Sequence, residues 1–538
     1  MNNTIIGTHL YIPENINEQE LLKQYPIGNY SFKDGFNLLD MFFIISRLIE
    51  VPYFNRSLRN NEGYVTLKAQ YMQFFVSSYH DYITYLESAG VITIDRHFIQ
   101  GQKSRGYSFL EPYLSASTLR EIPVPLTARL YKRISKKENE FAISEQASKL
   151  YPYLTKWFNA ELTIKFEEAN QIIDLIHLLR KAEKRAIIRN TITILNSINE
   201  MSKSDFADLR KAVRPIYEYK FGLLTIRKQR WVAKIDSTVF RLHTNLTNLK
   251  SELRYCLRYQ GRDLVSIDIK NCQPYLSILL FHPGFYESES RWQEFYRKRK
   301  AVNTTLKPIT PITLSHNSIT QSNLSFSFSH SSKYNHLITI LLSEETADHE
   351  SNSAISDTLT DDLNEYIRHA AEGTLYEYIG NELKIRGLTI PEERGKIKEI
   401  VFQTLFTDNR YIGQEEAEPK RIFAELFPTV ARIFNLIKTS KSEILPITLQ
   451  QIESELFLKR ITKRVSMERP ELPIFTIHDS IITKRGEEAY IESVIKNECE
   501  KAIGISPSVQ IENYTDQGIE DVKVALQRQI EKAETTSI

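Results

Sequence analysis

Two aspartates, each close behind a short apolar run, are the first residues in this chain that could do chemistry. In the segment LVSIDIKNCQPYLSILL (Leu264–Leu280), the run LVSI leads into Asp268. A buried strand that ends in a carboxylate is one way a sheet presents a metal ligand. The same Asp268 could instead cap a helix starting near Gln273-Pro274. The second aspartate lies in PIFTIHDSIIT (Pro473–Thr483), which reads as strand, turn, strand with Asp479 on a tight tip. His478 beside Asp479 raises the idea of a hydrolase dyad. Neighbours along a strand face opposite sides, however, so Asp479 is badly placed to orient the His478 ring. A polar hairpin tip with no chemistry stands as the plain alternative.

A third segment, PEERGKIKEIVFQTLFTD (Pro391–Asp408), has a cationic-then-aromatic order. Pro391, Glu392 and Glu393 suit a helix N-terminus. Arg394, Lys398, Phe402 and Phe406 then follow at steps of four, along one slowly drifting helical stripe. A nucleoside triphosphate has the matching order, with phosphates at one end and a base at the other. Arg and Lys neutralise phosphate, and Phe stacks on a base. The competing reading is an amphipathic helix with Phe402 and Phe406 in the core.

In chain order these segments resemble motifs A, B and C of family A nucleic-acid polymerases, the group that includes DNA polymerase I and the single-subunit phage-type RNA polymerases. Motif B of that family runs R-x3-K-x3-F-x3-Y-G, matched here by Arg394, Lys398 and Phe402, with Phe406-Thr407 where the family has Tyr-Gly. His478-Asp479-Ser480 is similar to motif C. Arg241, followed by LHTNLTNLKSELRYCLRYQGRDLVSID, resembles the family's segment from a characteristic arginine into motif A. Gln450 and Gln451, 28 and 27 residues before His478, fall where the family has a glutamine helix. The resemblance spans about Arg241–Tyr514, with a long insertion between the first two motifs.

The resemblance implies a mechanism and a set of roles. Asp268 and Asp479, with the Ile269 carbonyl, would bind two Mg2+ ions, with Mn2+ as the substitute. Lys398 would serve the α- and β-phosphates and Arg394 the γ-phosphate. Phe402 would stack near the incoming base and Phe406 near the template step. His478 would position the primer end, and Arg241 with Gln450 or Gln451 would contact the minor groove. Gln273 falls where the DNA enzymes have a glutamate that excludes a ribose 2′-OH, and its bulk leans toward dNTPs. Phe406, lacking a hydroxyl, leans the same way, whereas His-Asp-Ser is typical of the RNA enzymes. No exonuclease carboxylate set is recognisable in residues 1–140, so proofreading is not expected.

The elements that must position these residues follow from composition and pattern. The chain has 538 residues, 41% hydrophobic and 25% charged, ordinary for a globular protein of three or four domains. Lys plus Arg number 69 against 67 Asp plus Glu, so local patches rather than net charge would attract nucleic acid. Only 18 glycines point to a mostly helical chain. Three cysteines without C-x-x-C spacing argue against a disulfide scaffold or zinc site and favour a reducing, cytoplasmic home. No apolar stretch is long enough to span a membrane, and MNNTIIGTHLYIPENINE has no secretory pattern, so neither a membrane partner nor a signal is expected.

The expected fold is α+β and mostly helical. The resemblance makes it a right-hand polymerase, with a small antiparallel palm sheet flanked by helical thumb and fingers. Residues 1–125 would form an N-terminal domain. Within it, 65–113 reads as a helix ending at Gly90 followed by a hairpin with a basic tip at Lys103-Ser104-Arg105, the pattern of a winged helix. A thumb-like helical region (126–240) carries the basic residues Arg180, Lys181, Lys184, Arg185, Arg227, Lys228 and Arg230, interleaved with aromatics. It would track a phosphate backbone or present solvated faces. Palm (241–300), insertion (301–370, with 302–361 loop-rich), fingers (371–440) and second palm part (441–538, with C-terminal helices and a charged, frayed helix after about Gln517) complete the order. The partners would be a nucleic-acid template and primer plus nucleoside triphosphates; oligomeric state is not legible. Two alternatives remain: an RNA polymerase or primase on the same palm, and a non-catalytic winged-helix DNA-binding replication or regulatory protein.

Overall fold

The run Met41–Ile49, MFFIISRLI, is apolar almost all round, and a helix of that kind belongs inside a core. The computed structural model of the chain places it so. It describes residues 8–55, 58–60, 63–95, 105–136, 142–196, 215–281, 285, 353–385, 394–408, 417–439 and 441–535. The N-terminal part pairs β1 (His9–Pro13) with β5 (Leu119–Pro123) across α1 (Leu38–Phe54), in which every residue from Asp40 to Glu50 is buried. Behind it, α2 (Ala69–Phe75) and α3 (Tyr79–Ser88) lead to the sheet β2 (Val65–Thr66), β4 (Gly106–Phe109) and β3 (Ile92–Asp95), in spatial order β2-β4-β3. The helix ends at Gly90, whose φ of 67° suits a glycine C-terminus. Lys103 and Ser104, the expected basic tip, lie outside the described residues.

Helix α4 (Phe166–Asn196) and helix α5 (Tyr217–Arg227) follow. Several of the basic residues read as a phosphate track have partners within the protein, though of these only Arg180 is buried. Arg180 donates to the Tyr219 hydroxyl, and the Arg227 guanidinium lies 3.9 Å above the Phe166 ring. Arg230 approaches the buried Glu50 at 3.7 Å.

The central sheet carries the two aspartates. Its strands are β6 (Leu162–Ile164), β9 (Leu257–Tyr259), β10 (Arg262–Ile269), β11 (Phe475–Ile477), β12 (Ser480–Lys484) and β13 (Val509–Tyr514), all pairs antiparallel. A hairpin β7 (Ala233–Ile235) and β8 (Leu242–Thr244) stands beside it. Strand β10 is central, with β12 on one edge and β13 on the other. Such a strand is covered on both faces, which is why Leu264–Ile267 is mostly apolar and every residue in it, Ser266 included, is buried. The turn Gln260-Gly261 between β9 and β10 has positive φ at both positions, 52° and 69°, the geometry of a two-residue hairpin loop that matches strand twist.

The helices α6 (Cys272–Ser277), α7 (Ser353–Glu372), α8 (Leu375–Ile385), α9 (Arg394–Phe406), α10 (Glu418–Leu426), α11 (Pro428–Ile437), α12 (Ile444–Ser454, continued by helical turns to Glu468), α13 (Glu488–Ile503) and α14 (Asp516–Thr535) follow along the chain. Two expectations are corrected here. Most of the 302–361 stretch lies outside the described residues, but from Ser353 the chain is helical, and α7 buries Tyr366 and Ala370. Its polar opening, SAISDT, resembles a loop by composition only. The helix after Gln517 is packed rather than frayed, because Ile519, Val522 and Leu526 make a stripe at helical spacing that lies along α4.

The C-terminus of α9 is held by two buried lysines. Lys438 Nζ donates to the Thr404 carbonyl at 2.6 Å and the Thr407 carbonyl at 3.2 Å, and Lys420 Nζ to the Asp408 carbonyl at 2.5 Å. Cations at helix C-termini stabilise the unpaired carbonyls there. Burial, helped by the Lys420 charge, pulls the Lys438 ammonium down to about 8. A lysine depressed in the folded state holds its proton less tightly than in the unfolded chain, so its contribution to stability rises with pH between about 8 and the ordinary lysine value near 10.4. Lys438→Met should remove that slope. Paired urea titrations of wild type and variant at pH 7.5 and 9.5 should show a difference that grows with pH; a pH-independent difference would count against it.

Candidate active site

Register brings the two aspartates together. Asp268, on β10, is the Cα partner of Ser480, the first residue of β12, and Asp479 directly precedes Ser480. Asp479 sits in a two-residue loop, since Ile477 pairs with Ser480. His478 takes a φ of 56° there, a conformation that favours glycine, so this tip carries local strain of the kind found at functional sites. Asp268 does not cap the following helix. That helix starts at Cys272, and its cap position is Asn271, which makes no side-chain cap bond.

Both carboxyls are pushed above the ordinary carboxylate range. For Asp268 the causes are burial, then repulsion from Asp479, Glu453 and Glu512, with Lys398 opposing. For Asp479 burial again dominates and outweighs its backbone donor, the Cys272 thiol, Arg241 and Lys398. Asp268 Oδ1 is buried and has no hydrogen-bond donor. A buried acceptor left unsatisfied costs roughly 1–3 kcal/mol. Opposed carboxylates with an orphaned acceptor fit a divalent cation, whose charge would reverse both penalties. The donors are all oxygen, which suits Mg2+, an ion that takes one or two protein carboxylates and completes its shell with water and phosphate. Among the described residues no group of three or more His, Cys, Asp or Glu side chains forms a metal-holding cluster, so any ion here would lean on these two carboxylates and on substrate. Ile269, whose carbonyl completes the expected set, is the last residue of β10 and is buried.

Helix α9 supplies the cation. Lys398 is exposed, lies 5.1 Å from the Phe402 ring centre and acts electrostatically on both aspartates. Phe402 and Phe406 are half-buried, their ring centres 5.2 Å apart, while Val401 and Leu405 on the same helix are fully buried. The core face of α9 is therefore the Val401–Leu405 stripe, and the phenylalanines flank it. Arg394 opens the helix; its side chain lies outside the described residues.

Three expected contact residues are engaged within the protein. Arg241 makes a two-pronged ion pair with Glu453, Nε to Oε1 at 2.8 Å and the guanidinium NH2 to Oε2 at 2.6 Å. Gln273 Nε2 donates to Glu453 Oε2 at 2.7 Å. Gln451 Nε2 donates to the Thr238 carbonyl at 2.8 Å, and Ser454 Oγ to the Val239 carbonyl at 2.8 Å, so α12 clamps the β7–β8 connection. Gln450 is half-buried one residue earlier. Glu453, only 1% exposed, is raised to about 7 by burial despite Arg241.

Glu453, His243 and Cys272 are residues the sequence reading missed. The His243 ring faces His478, centres 6.1 Å apart and edge-on. A signal for His243 existed: it stands two residues after Arg241, the spacing that shares a strand face. A signal for Glu453 existed too, three residues after Gln450 and hence on the same helix face. Cys272 gives none, since a buried cysteine is ordinarily packing.

No protein-family model matches the chain, and no curated protein matches it. Among solved structures the chain is similar to the POL domain of Pol1 from M. smegmatis in complex with DNA primer-template and dNTP, at 11% identity and a TM-score of 0.28, over 71% of this chain and 72% of that one. A likeness of that size carries no weight for fold or activity.

Proposed function

We propose that the chain is a template-dependent nucleotidyltransferase, a DNA polymerase without proofreading that extends a primer 3′-hydroxyl. The observation that carries this is the register of β10 and β12, which sets Asp268 opposite Ser480 and so next to Asp479, with Lys398 of α9 acting on both aspartates. Asp268 and Asp479, with the Ile269 carbonyl, would hold two Mg2+ ions. Bound there, such ions acidify the attacking hydroxyl and neutralise charge on the transferring phosphoryl group. Asp268 and Asp479 fix where that charge relief is delivered. Lys398 holds the α- and β-phosphates and supplies a proton to the leaving pyrophosphate. Arg394 holds the γ-phosphate, Phe402 stacks on the incoming base, and Phe406 lies at the template step. His478, on its strained tip beside His243, positions the primer end. Arg241 is assigned to building the site through Glu453, and Gln450 keeps the proposed minor-groove contact.

The alternatives separate cleanly. Extension with NTPs in preference to dNTPs would move the protein to the RNA polymerase or primase reading. Extension lost in Asp479→Ala but kept in Lys103→Ala would remove the non-catalytic winged-helix reading. The deciding experiment is Mg2+-dependent primer extension on a primed template with each nucleotide set, wild type against Asp268→Ala. No extension by the wild type with either set would overturn the proposal. Lys398→Met should lower the rate of incorporation about 10²–10³-fold, the usual effect of removing one preorganised charge-stabilising donor. Single-turnover kinetics at saturating nucleotide would check this, and a loss confined to nucleotide affinity would reassign Lys398 to binding alone.

A further inference from the structure

The last turn of α9 is pinned from inside and from outside. Thr407 donates to the Gln403 carbonyl through its backbone N–H at 3.1 Å and its hydroxyl at 2.6 Å, and Thr404 Oγ1 to the Ile400 carbonyl at 3.1 Å. The final carbonyls of a helix have no acceptor role left within it. Here Lys438 Nζ takes those of Thr404 and Thr407, and Lys420 Nζ takes that of Asp408. Lys420 belongs to α10 and Lys438 directly follows α11, so two other helices grip this turn. The two lysines are only 9% and 4% exposed. Taking an ammonium out of water without an anionic partner is costly, and the Lys420 charge adds to the penalty on Lys438. A helix end needs no more than water or a glycine turn to satisfy its carbonyls. Two buried cations do more than that: they fix where the turn lies.

Phe406 lies in that turn, between the two carbonyls that Lys438 joins. Its ring is half-buried at the edge of the core, 5.2 Å from the Phe402 ring, while Val401 and Leu405 fill the interior. The place of the ring therefore follows the place of the backbone that carries it. We infer that Lys438 and Lys420 are positioning residues for Phe406, and that through it they set how strictly the site accepts a correctly paired nucleotide. This rests on the nucleotidyltransferase reading above, which puts Phe406 at the template step. A mismatched base pair differs from a matched one mainly in shape. An aromatic wall beside the pair discriminates between them only if it does not yield, and a misplacement of about 1 Å can cost on the order of 10²-fold in a positioned reaction. The lysines supply the stiffness. Pushing the turn outward would strip buried ammonium groups of their acceptors, which is strongly unfavourable.

The test measures incorporation efficiency for the matched and for one mismatched nucleotide opposite the same template base, using the nucleotide set that the wild type extends. Thermal denaturation of each variant serves as the folding check. The ratio of the two efficiencies does not depend on the fraction of active enzyme, so plain destabilisation leaves it unchanged. Lys438→Met removes the charge and the donors at similar length, and should lower the ratio at least about tenfold. Lys420→Met should lower it less, because the bonds to Thr404 and Thr407 remain. Lys220→Met is the control. That lysine of α5 is also buried, at 7% exposed, but bonds to Asn170 and Asp174 of α4, and its ratio should match the wild type. Action through the ring is checked in a Phe406→Ala background, where Lys438→Met should cause no further fall. A wild-type ratio in the folded lysine variants, an equal fall in Lys220→Met, or a full further fall in the Phe406→Ala background would each overturn the inference and leave the polymerase reading standing. Should Lys438→Met fail to fold, Lys420→Met decides, and an unchanged ratio there overturns the inference. No incorporation by the wild type with either nucleotide set would overturn both.

Discussion

Asp479→Asn and Asp268→Asn should each abolish nucleotide incorporation while making the fold more stable. The loss is expected at roughly 10³-fold or more, because charge relief by bound metal is worth several kcal/mol and each 1.36 kcal/mol is a factor of ten. The gain in stability follows from the same carboxyls. Both are raised above the ordinary carboxylate range, chiefly by burial, so their ionised forms are costly in the folded state. An asparagine has nearly the same volume and no charge, and the relief is on the order of 1–2 kcal/mol at neutral pH. The sign of the pH dependence is fixed. A carboxyl whose folded value is raised holds its proton more tightly folded than unfolded, so its stabilisation is complete below the ordinary value near 4 and is lost as pH rises through the raised one. Without divalent ions, wild-type stability should therefore decline from about pH 4 toward neutrality more steeply than that of either variant. Added Mg2+ should restore it near neutrality in the wild type by binding the folded state alone. Primer extension and calorimetry with and without Mg2+ check both halves. A variant that is inactive and also less stable than wild type at neutral pH, with no Mg2+ response lost, would mean that the aspartates only build the fold.

What the sequence disclosed and what it hid follow from where the information lies. Asp268 and Asp479 were legible because strand and turn signals are local: an apolar run into an acid, and two β-rich runs around His478-Asp479. Their meeting depends on register between β10 and β12, whose paired residues lie more than 200 positions apart. Only the resemblance of three ordered motifs foretold it. Helix α9 was legible as a helix, and its fully buried residues are Val401 and Leu405, while Phe402 and Phe406, which the competing reading put in the core, are half-buried against it. The engagement of Arg241 by Glu453 could not be read, because a buried ion pair between segments leaves no periodic trace. The lysines that hold the end of α9 were hidden for the same reason: Lys420 and Lys438 come from later helices and bind carbonyls, which every residue has. The polar start of α7 and the charged α14 show the limit of composition, which suggested a loop where the chain is helical and fraying where an apolar stripe packs the helix against α4.

Arg241→Met should be the most destabilising single substitution at this site, because it strands Glu453. Breaking one partner out of a buried ion pair costs about 3–5 kcal/mol, whereas replacing both by apolar side chains is often close to neutral. Glu453 is almost fully buried and lies at about 7 even with the guanidinium bonded to both its oxygens. Without Arg241 it would shift further upward, and a raised carboxyl loses its stabilising contribution as pH climbs through the raised value. The cost of Arg241→Met should accordingly be smaller near pH 5, where Glu453 can take a proton, than near pH 8, where it must stay charged or be protonated at a free-energy penalty. The double variant Arg241→Met/Glu453→Met should recover most of the loss. A residue of it should remain, because Gln273 Nε2 then has no acceptor. Denaturant unfolding of the wild type, both single variants and the double variant at the two pH values closes a double-mutant cycle. A coupling energy of several kcal/mol is expected at pH 8. Additive costs would mean that Arg241 reaches solvent or nucleic acid and that Glu453 is satisfied without it, which would also return Arg241 to the contact role its position first indicated.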